Sequence, residues 1–414
     1  MSTEENNMRV LLINDNHMPI GGAEQYFFDL KARLKKVPDM KVFSLGFGPQ
    51  PYRGDDVIVF KGLRSKIAKW LWQIVFHPIL YFKIRRHLKK IRPDVIHIHN
   101  IKQYSITVLA AIKSYPLVQT IHDYSAVCPT AYNIHKDNLQ PCSTGFKWRC
   151  CLQHHMKYNF LVYFFLIFTF LIFKKQQKKL IKKFFAPSPL LTDYLTKNHF
   201  INATYVPPFI NNHRQHSFDE IKPHHFLFVG QFGAHKGIYF LLEEFALAVM
   251  KNNRLTLTLA GTGSIENHLR QQVKKLGIAA HISFIGWQNH LEKYYQECTA
   301  VIFPSIWMEA FGLVIAEAMM HARAVIGSNR GSPLWLIDDK ETGLIINPYQ
   351  SGDLAEKILV LANDTALAKK LGKNGCAKIE RIIDNDRTLN YIIESYQELT
   401  IKQNIDLEIR SPRK

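Results

Sequence analysis

The chain has 414 residues, 47% of them hydrophobic and 21% charged, and a formal net charge of +19. That length exceeds one ordinary core and suits two domains, while the polar, acidic start Met1-Ser2-Thr3-Glu4-Glu5-Asn6-Asn7 does not read as a secretory leader. Six cysteines in so long a chain make no disulfide framework, and no zinc-finger spacing or RNA-binding aromatic signature links the positive charge to nucleic acid.

In chain order, Val10–Asn14 reads as a strand, and Gly21-Gly22-Ala23-Glu24 opens a helix reaching Leu34. Lys41–Leu45 and Val57–Phe60 are further strands. Lys66–Arg92 mixes Trp70, Trp72, Phe76, Tyr81 and Phe82 with Lys66, Lys69, Lys83, Arg85, Arg86, Lys89 and Lys90, and reads as a basic aromatic helix suited to an anionic bilayer surface. Asp94–His99 and Leu117–Ile121 are two more strands, each ending in polar residues: His99-Asn100 and His122-Asp123. Cys128, Cys142, Cys150 and Cys151 follow, with His154 and His155 nearby. They are read either as a structural zinc site or as reduced, partly buried thiols. Phe160–Phe173 is almost wholly apolar. As a helix it would be about 21 Å long, short of the roughly 30 Å hydrocarbon core, so it reads as a core helix or an interfacial one.

Val206-Pro207-Pro208-Phe209-Ile210-Asn211-Asn212 reads as a linker. Beyond it Phe226–Gly230, Leu255–Gly261, Ile282–Gly286, Ala300–Phe303 and Ala324–Ile326 repeat the strand signal. Alternation at this spacing predicts an α/β chain of two doubly wound, Rossmann-like domains facing a crevice: 1–207, basic, and 208–386. Residues 387–414 are expected to form a helix packing back toward the first domain, then a tail. Residues 1–207 hold 30 Lys and Arg against 12 Asp and Glu, whereas residues 208–414 hold 23 against 22. The excess charge therefore belongs to the first half, where it flanks apolar stretches.

The most specific run is Pro304-Ser305-Ile306-Trp307-Met308-Glu309-Ala310-Phe311-Gly312-Leu313, with Glu317 four residues further on. It reads as a buried strand, a loop bearing Glu309, a glycine turn, and a helix from Leu313 to Met320. The open amides at a helix start suit a diphosphate. Two carboxylates beside them suit sugar hydroxyls, which offer donors in adjacent pairs. The ligand inferred is a sugar nucleotide. A bare pair of glutamates eight apart would be ordinary surface charge; the ordered run makes the difference.

These segments resemble the retaining GT-B-fold glycosyltransferases of glycosyltransferase family 4 (glycosyl transferases group 1). The resemblance rests on Gly21-Gly22-Ala23-Glu24, Thr120-Ile121-His122-Asp123, Ala186-Pro187-Ser188, Val229-Gly230 with Lys236-Gly237, Leu259-Ala260-Gly261-Thr262-Gly263, and the Glu309–Glu317 run. It implies catalytic roles for His122, beside the donor sugar, and Glu309, which holds the transferred sugar. It implies donor-binding roles for Gly21, Gly22, Gln231, Lys236, Phe311, Gly312, Leu313 and Glu317, the last on the ribose. Gln231 stands where the family usually has an arginine, and Gly331-Ser332-Pro333-Leu334-Trp335 replaces a Gly-Gly-x-x-Glu pattern.

The function implied is transfer of a sugar, with retention of configuration, from a nucleoside-diphosphate sugar to a lipid-linked or envelope glycan in surface polysaccharide or lipopolysaccharide synthesis. The expected place is the cytoplasmic face of the membrane. No catalytic metal is expected, since the sole Asp-x-Asp, Asp384-Asn385-Asp386, precedes the last helix and reads as a cap or turn. A sugar-nucleotide epimerase on the same fold, or a non-catalytic partner subunit, is the alternative.

Overall fold

A computed structural model describes residues 7–18, 21–63, 65, 72, 75–129, 131, 133, 142, 160–210 and 221–410. It divides into two compact units: the first takes in Met1–Ala131, His135–Phe209 and Asn385–Lys414, the second Tyr132–Ile134 and Ile210–Asp384.

The first unit carries strands β1 (Met8–Asn16), β2 (Met40–Gly48), β3 (Tyr52–Arg53), β4 (Val57–Lys61), β5 (Val95–Ile98), β6 (Leu117–Thr120), β7 (Lys183–Ala186) and β8 (Ala203–Tyr205). Its helices are α1 (Gly22–Leu34), α2 (Pro78–Ile91), α3 (Ser105–Ile112), α4 (Phe160–Leu180) and α5 (Pro189–Lys197), with the C-terminal helix Asn385–Arg410. The strands lie in the order β3-β4-β2-β1-β5-β6-β7-β8, parallel except for the antiparallel edge pair β3–β4. The order reverses between β1 and β5, the point where such sheets open a crevice for ligands. The C-terminal helix brings Ile392 and Tyr396 into a core with Val10, Leu12, Phe27, Leu30, Val95 and Phe185.

The second unit has β9 (His225–Val229), β10 (Thr256–Ala260), β11 (Ile282–Gly286), β12 (Ala300–Phe303), β13 (Ala324–Ser328) and β14 (Leu344–Ile346). Helices α6 (Ile238–Lys251), α7 (Glu266–Lys275), α8 (Glu292–Glu297), α9 (Leu313–Met320), α10 (Pro333–Leu336), α11 (Asp353–Asn363) and α12 (Thr365–Ile382) connect or follow them. The sheet runs β11-β10-β9-β12-β13-β14, all parallel. Successive strand residues enter opposite cores: Phe226, Phe228, Ala300 and Ile302 pack on one side, Leu227, Val301 and Phe303 on the other. Burial on both faces is why these strands read as continuous apolar runs and not as alternation. The strand order reverses between β9 and β12.

Three readings need correction. Lys66–Arg92 is not one helix: α2 begins at Pro78, whose fixed φ and missing N–H suit a first helical position, and the His77 ring accepts from the Leu80 amide. Lys66, Lys69 and Trp70 lie outside the described residues. The apolar helix does not stop at Phe173; α4 runs on to Leu180, because buried Gln177 donates to Gln119 at 2.9 Å and anchors the polar turns. Short strands β3, β7, β8 and β14 were not anticipated. No helix among the described residues is long and apolar enough to cross a membrane.

Candidate active site

In the second unit the loops after β9 and β12 meet at the strand-order reversal. Loop Gly230–Gly237 carries Lys236, and loop Pro304–Gly312 carries Glu309. The Ile306 amide donates to the His235 carbonyl at 3.0 Å, tying the loops together. Glu309 is 7% exposed, and its Oε1 accepts from Lys236 Nζ at 2.7 Å, Ser305 Oγ at 2.9 Å and Trp307 Nε1. Oε2 makes no hydrogen bond among the described residues. One oxygen therefore fixes the carboxylate while the other keeps its lone pairs. Burial would push this carboxyl up, but the Lys236 charge and the donors from Lys236, Trp307 and Ser305 outweigh it, so it stays ionised below its ordinary value.

Backbone geometry holds the loop in place. Gly331 has φ +81, and a Cβ there would fall 2.4 Å from the Glu309 carbonyl oxygen. Ser332 closes the contact, its amide donating to the Glu309 carbonyl at 3.0 Å and its Oγ to that of Ala310 at 2.6 Å. Gly312 caps α9 at φ +92, a conformation costly for any other residue, with no side-chain cap. The first helical bonds come from the Ile315 and Ala316 amides to the Gly312 carbonyl, leaving the Leu313 and Val314 amides before them. Phe311 is buried in the core and Leu313 half-buried. Glu317, one turn into α9, is half-buried and its Oε2 accepts from Tyr295 Oη at 2.8 Å. Tyr295 stacks on His321, ring centroids 5.0 Å apart. Gln231 is exposed. Lys236 and Glu309 stand 73 positions apart; the structure joins them, and joins neither to Gln231. Ser305 and Trp307 went unassigned although both lie in the quoted run, and Tyr295 had no spacing signal at all.

In the first unit the equivalent reversal gathers a polar group of its own. Gly21 is the extended N-cap of α1 without a side-chain cap. The Asn100 amide donates to Asn14 Oδ1 at 3.1 Å, and the Gln103 amide to Asp15 Oδ1 at 3.0 Å, binding the ends of β1 and β5 together. His122 Nε2 lies 3.0 Å from His99 Nδ1, with the rings stacked. His99 in turn stacks on His97, which bridges Thr120 Oγ1 at 2.7 Å and Tyr396 Oη at 2.6 Å. Burial lowers His97 to about 3 and His122 to about 4, and puts His99 well below its ordinary value. All three rings are neutral at pH 7. The His97-x-His99 pair was visible in the sequence at a strand end but was not assigned.

Cys128 and Cys142 are buried; Cys150, Cys151, His154 and His155 lie outside the described residues. Among the described residues no group of three or more His, Cys, Asp or Glu is arranged to hold a metal ion. Asp384 and Asp386 flank the first residue of the C-terminal helix.

Two parallel sheets with this strand order, each with its polar groups at the reversal, define a GT-B fold. Solved structures of the same fold include sucrose-phosphate synthase from Thermosynechococcus elongatus (TM-score 0.73, 18% identity, covering 96% of this chain and 100% of that one). HepE of Anabaena in complex with UDP-glucose is another (0.69, 17%, 95% and 100%). At these identities the likeness concerns the fold. The sequence carries the rest: residues 20–214 match the model of Glycosyltransferase Family 4 and residues 209–378 that of Glycosyl transferases group 1. The chain belongs to this family of glycosyltransferases. Among curated relatives, O-antigen chain mannosyltransferase C of Escherichia coli is 30% identical over 178 residues, 42% of this chain and 46% of that protein. The lipopolysaccharide core biosynthesis glycosyltransferase LpsE of Rhizobium meliloti is 26% identical over 147 residues, 36% and 42%. The matched segments thus span less than half of these relatives' length.

Proposed function

We propose that this chain transfers a sugar from a nucleoside-diphosphate sugar to a lipid-linked or envelope glycan, with retention of anomeric configuration, in the assembly of a surface polysaccharide or lipopolysaccharide. The observation that carries this is Glu309: an ionised carboxylate with one oxygen fixed by three donors and the other open, one loop away from the uncapped start of α9. Oε2 takes a hydroxyl of the transferred sugar. The α9 amides and Lys236 face the diphosphate and stabilise the charge that grows on it as the bond breaks. Glu317, set by Tyr295, takes the ribose hydroxyls. In the step itself the anomeric carbon–phosphate oxygen bond breaks and a bond to the acceptor oxygen forms on the same face. The acceptor proton passes to the leaving phosphate. The O-antigen and lipopolysaccharide-core relatives support this acceptor class.

A panel of UDP-, GDP- and ADP-sugars incubated with the protein, with release of nucleoside diphosphate followed by NMR, tests the proposal. One donor is expected to be consumed. If none is consumed and none binds, the proposal is wrong; interconversion of the sugar without release identifies an epimerase.

We further propose that the first unit docks on an anionic membrane through α2. Leu80, Ile84, Leu88 and Ile91 bury one stripe of this helix. Ile79 (64% exposed) and Phe82 (68% exposed) share the opposite stripe with exposed Lys83, Arg86 and Lys90. Apolar anchors among cations fit a headgroup interface. Sedimentation with vesicles containing anionic lipid is expected to pull the protein down at low salt, less so at 0.5 M salt. Replacing both Ile79 and Phe82 by glutamate should weaken binding about tenfold or more; unchanged binding would remove α2 from the interface.

A further inference from the structure

Arg330, the second residue beyond β13, is 2% exposed, yet its Nε makes no hydrogen bond and no carboxylate pairs with its guanidinium among the described residues. Its partner is a ring face: the guanidinium carbon sits 4.8 Å from the centroid of Tyr349. The other buried arginine of this unit behaves differently. Arg323, 1% exposed, donates to the carbonyls of Tyr295 at 2.8 Å and Gln296 at 2.7 Å, as a structural arginine should. A buried cation without an anion is costly, and a ring face offsets only part of that cost.

The location of Arg330 gives the cost a purpose. Its carbonyl accepts from the Glu309 amide at 3.3 Å. The hydroxyl of the same Tyr349 donates to the Ile306 carbonyl at 3.4 Å. Both members of the stack are therefore tied to the loop that carries Glu309 and leads into α9. Lys236 shares its charge with Glu309, and Gln231 is neutral, so the phosphates have room for a second cation.

We infer that Arg330, seated on Tyr349, is an oxyanion site that takes a phosphate group of a substrate. A guanidinium suits this because its planar fork grips two phosphate oxygens at once while its face stays on the ring. The phosphate belongs either to the nucleotide donor or to a lipid phosphate of the acceptor. The inference rests on the proposed sugar-nucleotide chemistry for its ligand, but not for its geometry.

The test is calorimetric titration of the full chain and of Arg330→Met and Arg330→Lys with UDP, GDP, inorganic pyrophosphate, a soluble short-chain prenyl phosphate, and the nucleosides uridine and guanosine. Arg330→Met is expected to lose about 10- to 100-fold in affinity for the phosphate ligand and nothing for the nucleoside, with Arg330→Lys between. In phosphate-free buffer Arg330→Met should melt at or above the wild-type temperature, since it removes an unpaired buried charge. Loss confined to UDP or GDP and pyrophosphate places the donor at Arg330; loss confined to the prenyl phosphate places the acceptor there. If pyrophosphate binding depends on Arg330 but no nucleotide binds the wild type, the site stands and the donor reading falls. Equal affinities in wild type and Arg330→Met, or equal losses for nucleoside and nucleotide, overturn the inference, as does a wild type that binds no phosphate ligand.

Discussion

Replacing Glu309 by glutamine is expected to lower kcat for sugar transfer by two to three orders of magnitude while the chain stays folded. The size follows from what the carboxylate does. Oε1 is occupied by Lys236, Ser305 and Trp307, and Oε2 is the acceptor left for a sugar hydroxyl. A charge-assisted hydrogen bond that strengthens as the sugar loses its phosphate contributes about 3–4 kcal/mol to the barrier, which is the stated factor in rate. Glutamine fills the space but must turn either an NH2 toward Lys236 or one toward the sugar, so it fails on one side. Folding suffers less than for a fully buried ion pair, because the Lys236 side chain is 21% exposed and can swing to water. A drop of a few degrees in melting temperature together with near-complete loss of turnover is the expected signature. Wild-type turnover in the variant would remove Glu309 from the chemistry.

The second large effect is acid instability of the first unit. His97, His99 and His122 form a stacked, buried set whose folded pKa values all lie below the ordinary 6.5. Below pH 6.5 the unfolded chain therefore takes up protons that the folded chain refuses, and stability falls as pH drops from 6.5 toward about 4 for His122 and about 3 for His97. At one pKa unit per 1.36 kcal/mol, His97 and His122 each cost about 2 kcal/mol by pH 5, about 4 together, and His99 acts in the same direction. That is a large share of the 5–15 kcal/mol that usually holds a domain. Glu24 and Asp29, whose carboxyls burial pushes up, act with the opposite sign: the fold gains stability from them as pH falls through their raised values toward the ordinary 4.5 and 3.8, which offsets part of the histidine loss. Between pH 7 and pH 5 the melting temperature of the first unit should fall by about 10–20 °C. His122→Asn should flatten that slope by about 2 kcal/mol between pH 6.5 and pH 5. A melting temperature constant over this interval would mean the three rings do take up protons in the fold.

How much of this was legible follows from sequence distance. The Glu309–Glu317 run could be read because strand, loop, glycine turn and helix follow one another between Ala300 and Met320, each with a local signature; α9 occupies the span expected from Leu313 to Met320. The central strands were legible because both their faces are buried. Strands β7, β8 and β14 were not. They are four, three and three residues long, and pairing defines them: Lys183 enters the sheet only because it lies opposite Val118. Tyr396 reaches His97 across 299 positions, and no spacing rule foretells that. Arg330 carries no local sequence signal, and only its burial and the missing partner of its Nε mark it.

The measurement that bears most directly on the account is the pair of dissociation constants for the sugar nucleotide and its sugar-free nucleoside diphosphate, on wild type and on Glu309→Ala. If Glu309 holds the sugar and Lys236 the phosphates, the variant loses the advantage of the intact donor, about tenfold or more. It binds the diphosphate as tightly as before or tighter, because Lys236 is released. Equal losses for both ligands, or no loss for either, would contradict the assignment of Glu309 to the transferred sugar.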